Sequence, residues 1–243
     1  KILEEAKHVN NPFDAYAENP FAMPLGRKVV EEDICEADVV IYVISRISGE
    51  GKDRRKVKGD YYLSEREEED LRYLAEMNKP VILILNAGGP VELTDILEQT
   101  DNIKGILNIS QLGQEGGDAL ADVLLGKEVP SGKLTTTWAR RYEDYPASEE
   151  YGYLNGNLEK EKYKEGIYVG YRYFDSFDKK VMFPFGFGLS YTMFEMKCCS
   201  INMEESKIRA EVQVTNTGNE YAGKEVVQIY VTLPQTELEK EYK

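Results

Sequence analysis

A single histidine, His8, stands in 243 residues, and one histidine near a chain end cannot form a histidine-based metal site alone. Cysteine is almost as scarce, with Cys35, Cys198 and Cys199 the whole supply. The neighbours Cys198 and Cys199 would point to opposite faces of a strand, which disfavours a bond between them. An odd, sparse set suits reduced structural thiols and a cytoplasmic location; the alternatives are a bond from Cys35 to one of the other two and a secreted or periplasmic location. No apolar run approaches the roughly 18 residues that a membrane-crossing helix needs, so no membrane partner is expected. The opening residues Lys1-Ile2-Leu3-Glu4-Glu5-Ala6-Lys7 are too polar for a signal peptide and read as the end of a helix that begins upstream. Positive charge is also short, with 30 Lys and Arg against 44 Asp and Glu, a formal net charge of −14. Nucleic-acid affinity depends on clustered Lys and Arg, so this balance excludes a nucleic-acid partner. The short basic run at 52–56 is broken by Asp53.

What the chain does have is enough apolar material, 42%, for real cores. Its most informative stretch joins a buried-looking strand, residues 37–44, to a loop that sets a carboxylate between two glycines, Ser48-Gly49-Glu50-Gly51. In open α/β folds, ligands bind just beyond the carboxyl ends of strands. Glycine on either side lets the backbone turn tightly and lets a ligand approach closely. Glu50 is therefore the candidate proton-transferring group, with an ordinary solvated turn as the plain alternative.

The first half alternates strand and helix. Ser64 with Glu67 three residues on forms a capping-box pattern, and Leu71, Leu74 and Ala75 supply apolar positions at helical spacing. Lys79-Pro80 stops that helix before Val81-Ile82-Leu83-Ile84-Leu85, an unbroken apolar run of the kind found in parallel sheets covered on both faces. A short helix near residues 93–97, a strand at 103–109 and a helix over 113–126 complete the cycle. Ala119, Leu120, Val123 and Leu124 are expected to give the last helix its buried face, and Gly126 its C-terminal cap. Such repetition predicts an α/β fold with right-handed crossovers, its sheet completed by sequence outside this chain. Tyr151, Tyr153, Tyr163, Tyr168, Tyr171 and Tyr173 then crowd one region, as cover for a domain junction or as the lining of a sugar-binding cleft. Later, residues 208–218 and 224–231 alternate as β-strands, enough for an incomplete β-sandwich.

Six motifs in order carry a family resemblance. They are Ser45-Arg46-Ile47-Ser48-Gly49-Glu50-Gly51-Lys52-Asp53-Arg54, Asn86-Ala87-Gly88-Gly89-Pro90, Gly113-Gln114-Glu115-Gly116-Gly117, Pro130-Ser131-Gly132-Lys133-Leu134, Tyr168-Val169-Gly170-Tyr171-Arg172-Tyr173 and Phe185-Gly186-Phe187-Gly188-Leu189-Ser190-Tyr191-Thr192. Together the chain over residues 37–232 resembles glycoside hydrolase family 3, the family of many β-glucosidases and β-xylosidases. The resemblance implies a three-layer α/β sandwich with a mostly parallel sheet over residues 1–145, a connector over 146–192, and an incomplete fibronectin-III-like β-sandwich over 193–243. It also implies a retaining, exo-acting β-glycosidase, first of all a β-glucosidase, whose aspartate nucleophile lies on a (β/α)8 barrel absent from this chain. Glu50 matches the family's acid/base position. The implied partners are a β-linked glucoside or short oligosaccharide and the barrel, in the same or a companion chain; homo-oligomer formation stays open. No metal or organic cofactor is implied.

Retaining glycosidases need two carboxyl groups about 5–5.5 Å apart, one nucleophilic and one acid/base, so this chain alone is expected to be inactive. Lys52 and Tyr61 are the candidates for contact with the sugar or its leaving group. Arg46, Asp53 and Arg54 are expected to support the loop. An arginine touching Glu50 would oppose the acid role, so their charges are expected on Asp53, Asp60 or substrate. Gly113 to Gly117 opens a helix, but Glu115 argues against a bound phosphate there. Gly49-Glu50-Gly51-Lys52 lacks the spacing of a P-loop, and no dinucleotide fingerprint follows the first strand. The functional alternative is a non-catalytic glycan-binding or scaffolding relative.

Overall fold

Three apolar runs of strand length, separated by helices, fold into one parallel sheet. In this computed structural model, which describes residues 27–46, 54–151, 159–160, 162–234, 236 and 239–243, the first elements are α1 (Glu31–Ile34), β1 (Val40–Ser45), α2 (Glu65–Glu76), β2 (Val81–Asn86), α3 (Thr94–Gln99) and β3 (Ile103–Asn108). The strands lie in the order β1-β2-β3, with both neighbouring pairs parallel. Ser45 lies opposite Asn86, so β1 and β2 end level at the carboxyl edge. The central strand explains its unbroken apolar run: Val81, Leu83, Ile84 and Leu85 are all buried. β1 differs from its reading as a buried strand. Tyr42 and Ile44 are buried, but Ile41 and Val43 are each 49% exposed, because only one face of this strand is covered.

The capping box forms at α2. The Ser64 hydroxyl accepts the Glu67 amide at 3.2 Å, and the Glu67 carboxylate accepts the Ser64 amide at 2.7 Å. Leu71 and Leu74 bury the inward stripe of the helix. Replacing Ser64 with alanine is expected to cost about 1 kcal/mol, through loss of the cap acceptor. Chemical denaturation should show this as a lower midpoint at unchanged slope, and an unmoved midpoint would count against it.

Downstream come α4 (Gly116–Leu124), β4 (Trp138–Ala139), a 3-10 turn at Tyr142–Asp144, α5 (Tyr171–Ser176), β5 (Val181–Phe183), β6 (Phe194–Glu204) and β7 (Lys207–Asn216). The chain gathers into two compact units. One holds the described residues up to Gly113 with Ala139–Tyr163, and the other holds Gln114–Trp138 with Lys164–Lys243.

In the second unit, α4 ends in a Schellman turn. Gly126 takes φ +70°, its amide donates to Val123 O at 3.0 Å, and the Lys127 amide donates to Asp122 O at 2.9 Å. The expected buried face of this helix is not found, since none of its residues is buried. Helical spacing selects which side is apolar but does not supply the surface that covers it. Two of the six motifs meet in this unit. Leu134 N donates to Phe187 O and Gly186 N to Leu134 O, both at 2.8 Å, while Lys133 Nζ donates to Gly188 O at 2.7 Å and pairs with Glu225 at 2.9 Å. A Cβ on Gly188 would stand 2.3 Å from the Gly132 carbonyl oxygen, so that approach requires glycine.

β6 and β7 form an antiparallel hairpin whose register answers the sequence pattern. Met196 faces Val214 and Cys198 faces Val212; then the strand takes an extra residue, Cys199, and Ile201 faces Ala210 and Met203 faces Ile208. The bulge keeps apolar opposite apolar from Met196 to Met203, where strict alternation would have slipped after Cys198. All three cysteines are free and exposed. The strand expected over residues 224–231 is not formed. Alternation chooses faces, but a strand also needs a neighbour for its ladder, and these residues have none among the described ones. The fold is thus α/β with a parallel sheet, followed by antiparallel β-structure.

Candidate functional site

Because the parallel strands end together, the segments leaving them are neighbours at the carboxyl edge. The Arg46 amide donates to Asn86 O at 2.9 Å, and Gln111 Nε2 donates to Arg46 O at 3.2 Å. This is the place where an α/β sheet presents ligand-binding loops. Glu50, Lys52 and Asp53 belong to residues 47–53, outside the described residues. The two arginines that bracket that segment, Arg46 and Arg54, are both described.

Arg46 is 1% exposed. Its guanidinium meets Glu67 through two parallel bonds, Nη1 to Oε1 at 2.8 Å and Nη2 to Oε2 at 2.7 Å. The remaining donors reach main-chain carbonyls: Nε to Asp60 O at 2.7 Å, Nη1 to Ser45 O at 2.8 Å and Nη2 to Tyr62 O at 3.3 Å. Such a fork satisfies a buried cation fully. Its charge was expected on Asp53, Asp60 or substrate; it goes instead to Glu67, the same carboxylate that caps α2. The signal was present as the capping box, but the cap explains only one bond of that carboxylate.

Arg54 pairs with Asp60, Nε to Oδ1 at 2.8 Å, while Nη2 reaches Asp60 O at 2.5 Å. Its Nη1 donates to Pro90 O at 2.6 Å, which ties it to the Asn86-Ala87-Gly88-Gly89-Pro90 loop after β2. The other carboxylate oxygen of Asp60 accepts the Arg55 amide at 2.6 Å. Asp60 is itself 2% exposed. One carbonyl oxygen, that of Asp60, therefore receives both bracketing arginines.

Tyr61 does not sit where a sugar contact was expected. It is 8% exposed, its hydroxyl is hydrogen-bonded to Tyr145, and its ring meets Tyr62 and Tyr142 edge-on at 5.4 and 4.9 Å. Burial pushes its phenol far above the ordinary tyrosine range. An enclosed ring with an engaged hydroxyl has no face to offer a pyranose, so Tyr61 is core. Two of the residues that enclose it, Tyr142 and Tyr145, arrive from far along the chain, which is why the sequence did not reveal them. Tyr142 N donates to Glu92 Oε2 at 2.8 Å, and Arg141 joins Glu92 and Asp95 at 3.3 and 2.6 Å. Burial pushes the Glu92 carboxyl up, opposed by the Tyr142 amide and Arg141. Lys56 pairs with Glu143 and lies 4.7 Å from the centre of the Tyr142 ring.

No group of three or more His, Cys, Asp or Glu among the described residues could hold a metal ion. None of their helices is long and apolar enough to cross a membrane.

Residues 7–171 match the model of the glycosyl hydrolase family 3 C-terminal domain. The chain is 38% identical to β-glucosidase A of Butyrivibrio fibrisolvens, covering 89% of this chain and 30% of that protein. It is 36% identical to a β-glucosidase of Ruminococcus albus, covering 90% and 22%. Among solved structures, β-glucosidase 3B of Thermotoga neapolitana in complex with glucose superposes with a TM-score of 0.81 at 38% identity, over 99% of this chain and 34% of that one. A β-glucosidase of Kluyveromyces marxianus in complex with glucose gives 0.73 at 34% identity, over 84% and 23%. The chain thus spans about a third or less of these relatives. A family match over more than half its length, together with a shared fold at this identity, places the chain in glycosyl hydrolase family 3, as that family's C-terminal domain.

Proposed function

We propose that this chain supplies the general acid/base of a retaining, exo-acting β-glucosidase. The observation that carries the reading is the convergence of Arg46 and Arg54 on Asp60 at the carboxyl edge of the parallel sheet. Glu50 lies four residue steps from each arginine, at most roughly 14 Å of extended chain on either side. A carboxylate between two fixed ends at a sheet edge suits a group that must meet a reacting atom within about 3 Å. The nucleophile would come from a (β/α)8 barrel, in the same or a companion chain. Relatives named β-glucosidases, two of them solved with glucose, support glucose as the sugar.

In this reading Glu50 protonates the departing glycosidic oxygen while the partner carboxylate attacks the anomeric carbon. It then removes a proton from water as the glycosyl-enzyme is hydrolysed. The first step needs a protonated carboxyl, favoured by partial desolvation and by the charge of the nucleophile. That charge vanishes in the covalent intermediate, so the pKa falls when a base is wanted.

The test is turnover by the full-length protein with an aryl β-glucoside, following the anomeric configuration of the first-formed glucose by NMR. Release of β-glucose before mutarotation is expected. Release of α-glucose would overturn the retaining mechanism. Tight glucoside binding with no turnover would place the protein among non-catalytic glycan-binding relatives.

A further inference from the structure

Asp60 does more than neutralise one arginine. Its side chain takes Arg54 Nε and the Arg55 amide, one on each oxygen, and its carbonyl takes Arg46 Nε and Arg54 Nη2. Four donors thus come from residues on the two sides of segment 47–53, and all end on one buried residue. Arg54 is held further by Pro90 O, which extends the tie to the loop after β2. The Asp60 amide bonds to Val57 O at 3.2 Å, and the next amide, that of Tyr61, reaches Arg55 O at 3.2 Å, so the turn that presents Asp60 closes on itself. Stability alone would not ask for this arrangement, since an apolar residue of similar volume commonly replaces a buried ion pair without loss.

From this geometry we infer that Asp60 is the positioning residue of the acid/base segment: it fixes the exit of that segment relative to its entry, and so sets where Glu50 is delivered. The inference rests on the acid/base reading of Glu50. Asp60 touches no reacting atom; its effect passes through Arg54 and the chain at Arg55. Proton transfer depends steeply on donor placement, and a misplacement of about 1 Å costs on the order of 100-fold in rate.

The experiment uses the full-length protein and the variants Asp60→Asn, Asp60→Glu, Arg54→Lys, Glu50→Ala and the double variant Asp60→Asn/Glu50→Ala. Each is assayed on nitrophenyl and alkyl β-glucosides, with melting temperature recorded. Asp60→Asn keeps the oxygen that accepts one donor but loses the charge, so it is expected to lower kcat/KM, which reports glycosylation, by about 10- to 100-fold for the alkyl glucoside. For the nitrophenyl substrate, which needs little protonation, kcat/KM should fall far less, while its steady-state turnover slows at the hydrolysis of the glycosyl-enzyme. Arg54→Lys should behave likewise, since a lysine cannot reproduce the fork to Asp60 and Pro90, whereas Asp60→Glu should restore part of the rate. In the double variant the Asp60 change should add nothing to the loss from Glu50→Ala. Equal losses of kcat/KM on both substrates, or additive losses in the double variant, would overturn the inference and leave Asp60 as a structural residue. If Asp60→Asn does not fold, Arg54→Lys decides the question by the same selectivity. A Glu50→Ala protein that still cleaves alkyl glucosides would instead sink the acid/base reading, and this inference with it. A selective Glu50→Ala loss without a selective Asp60 or Arg54 loss would sink this inference alone.

Discussion

Replacing Arg46 with methionine is expected to destabilise the parallel-sheet unit by about 3–5 kcal/mol, because it leaves a buried carboxylate without its counter-charge. The side chains of Arg46 and Glu67 are 0% and 5% exposed, so water cannot take over from the lost partner. Glu67 would keep only the Ser64 amide and face the remaining desolvation unpaired. The double replacement Arg46→Met/Glu67→Leu should recover most of the loss, since removing both charges removes the uncompensated one. Two of the carbonyls that Arg46 bonds keep another donor: Asp60 O retains Arg54, and Tyr62 O retains the Gly59 amide. Glu67→Leu alone should be as damaging as Arg46→Met, with the cation now stranded. Hydrogen exchange of the Val40–Ser45 and Val81–Asn86 amides reads this unit directly, whatever the other unit does. A single-variant loss below about 1 kcal/mol would mean that the pair behaves as a solvated surface bridge.

The contrast between Arg46 and α2 marks where the sequence is legible. Ser64 and Glu67 lie three residues apart, and their bonds are dictated by helix geometry, so the cap could be read directly. The bond from Glu67 to Arg46 spans 21 positions and depends on how α2 packs beside the end of β1. Nothing local encodes it. The same division holds for strands. The run Val81-Ile82-Leu83-Ile84-Leu85 announces a central strand by lacking alternation, and it is one. Ile41 and Val43 look equally apolar, yet they are half exposed, because burial depends on what lies opposite. Residues 224–231 alternate correctly and form no strand, for want of a partner ladder. Tyr61 shows the same limit at the site. Its neighbours in sequence suggest a loop residue free to touch a ligand, while Tyr142 and Tyr145 return from more than 80 positions away to enclose it. Motif order was more informative than any of these side-chain readings, since six short matches in sequence reflect a whole fold rather than one contact.

Replacing Glu50 with alanine in the full-length protein is expected to cut glycosylation of alkyl β-glucosides by about 10²–10⁴-fold, the range for loss of a positioned acid. An alkoxide is a poor leaving group and departs only as protonation proceeds. A nitrophenolate leaves largely unaided, so its glycosylation step should fall much less. The second half-reaction loses its base whichever aglycone left, and the glycosyl-enzyme should accumulate with the nitrophenyl substrate as a burst followed by slow turnover. Azide needs no deprotonation to attack, so adding it should restore turnover and yield β-glucosyl azide, the configuration that a second inversion produces. The pH profile supplies an independent sign. An acid works only while protonated, so the native protein is expected to lose kcat/KM as pH rises through the pKa of that acid, and the variant should lack this basic limb. A supporting residue could lower the rate, but it would not sort substrates by leaving group, admit azide and erase one limb together. Near-normal turnover of both substrates would move the acid elsewhere in the assembly. Convergence of Arg46 and Arg54 on Asp60 would then be a brace for the sheet edge alone.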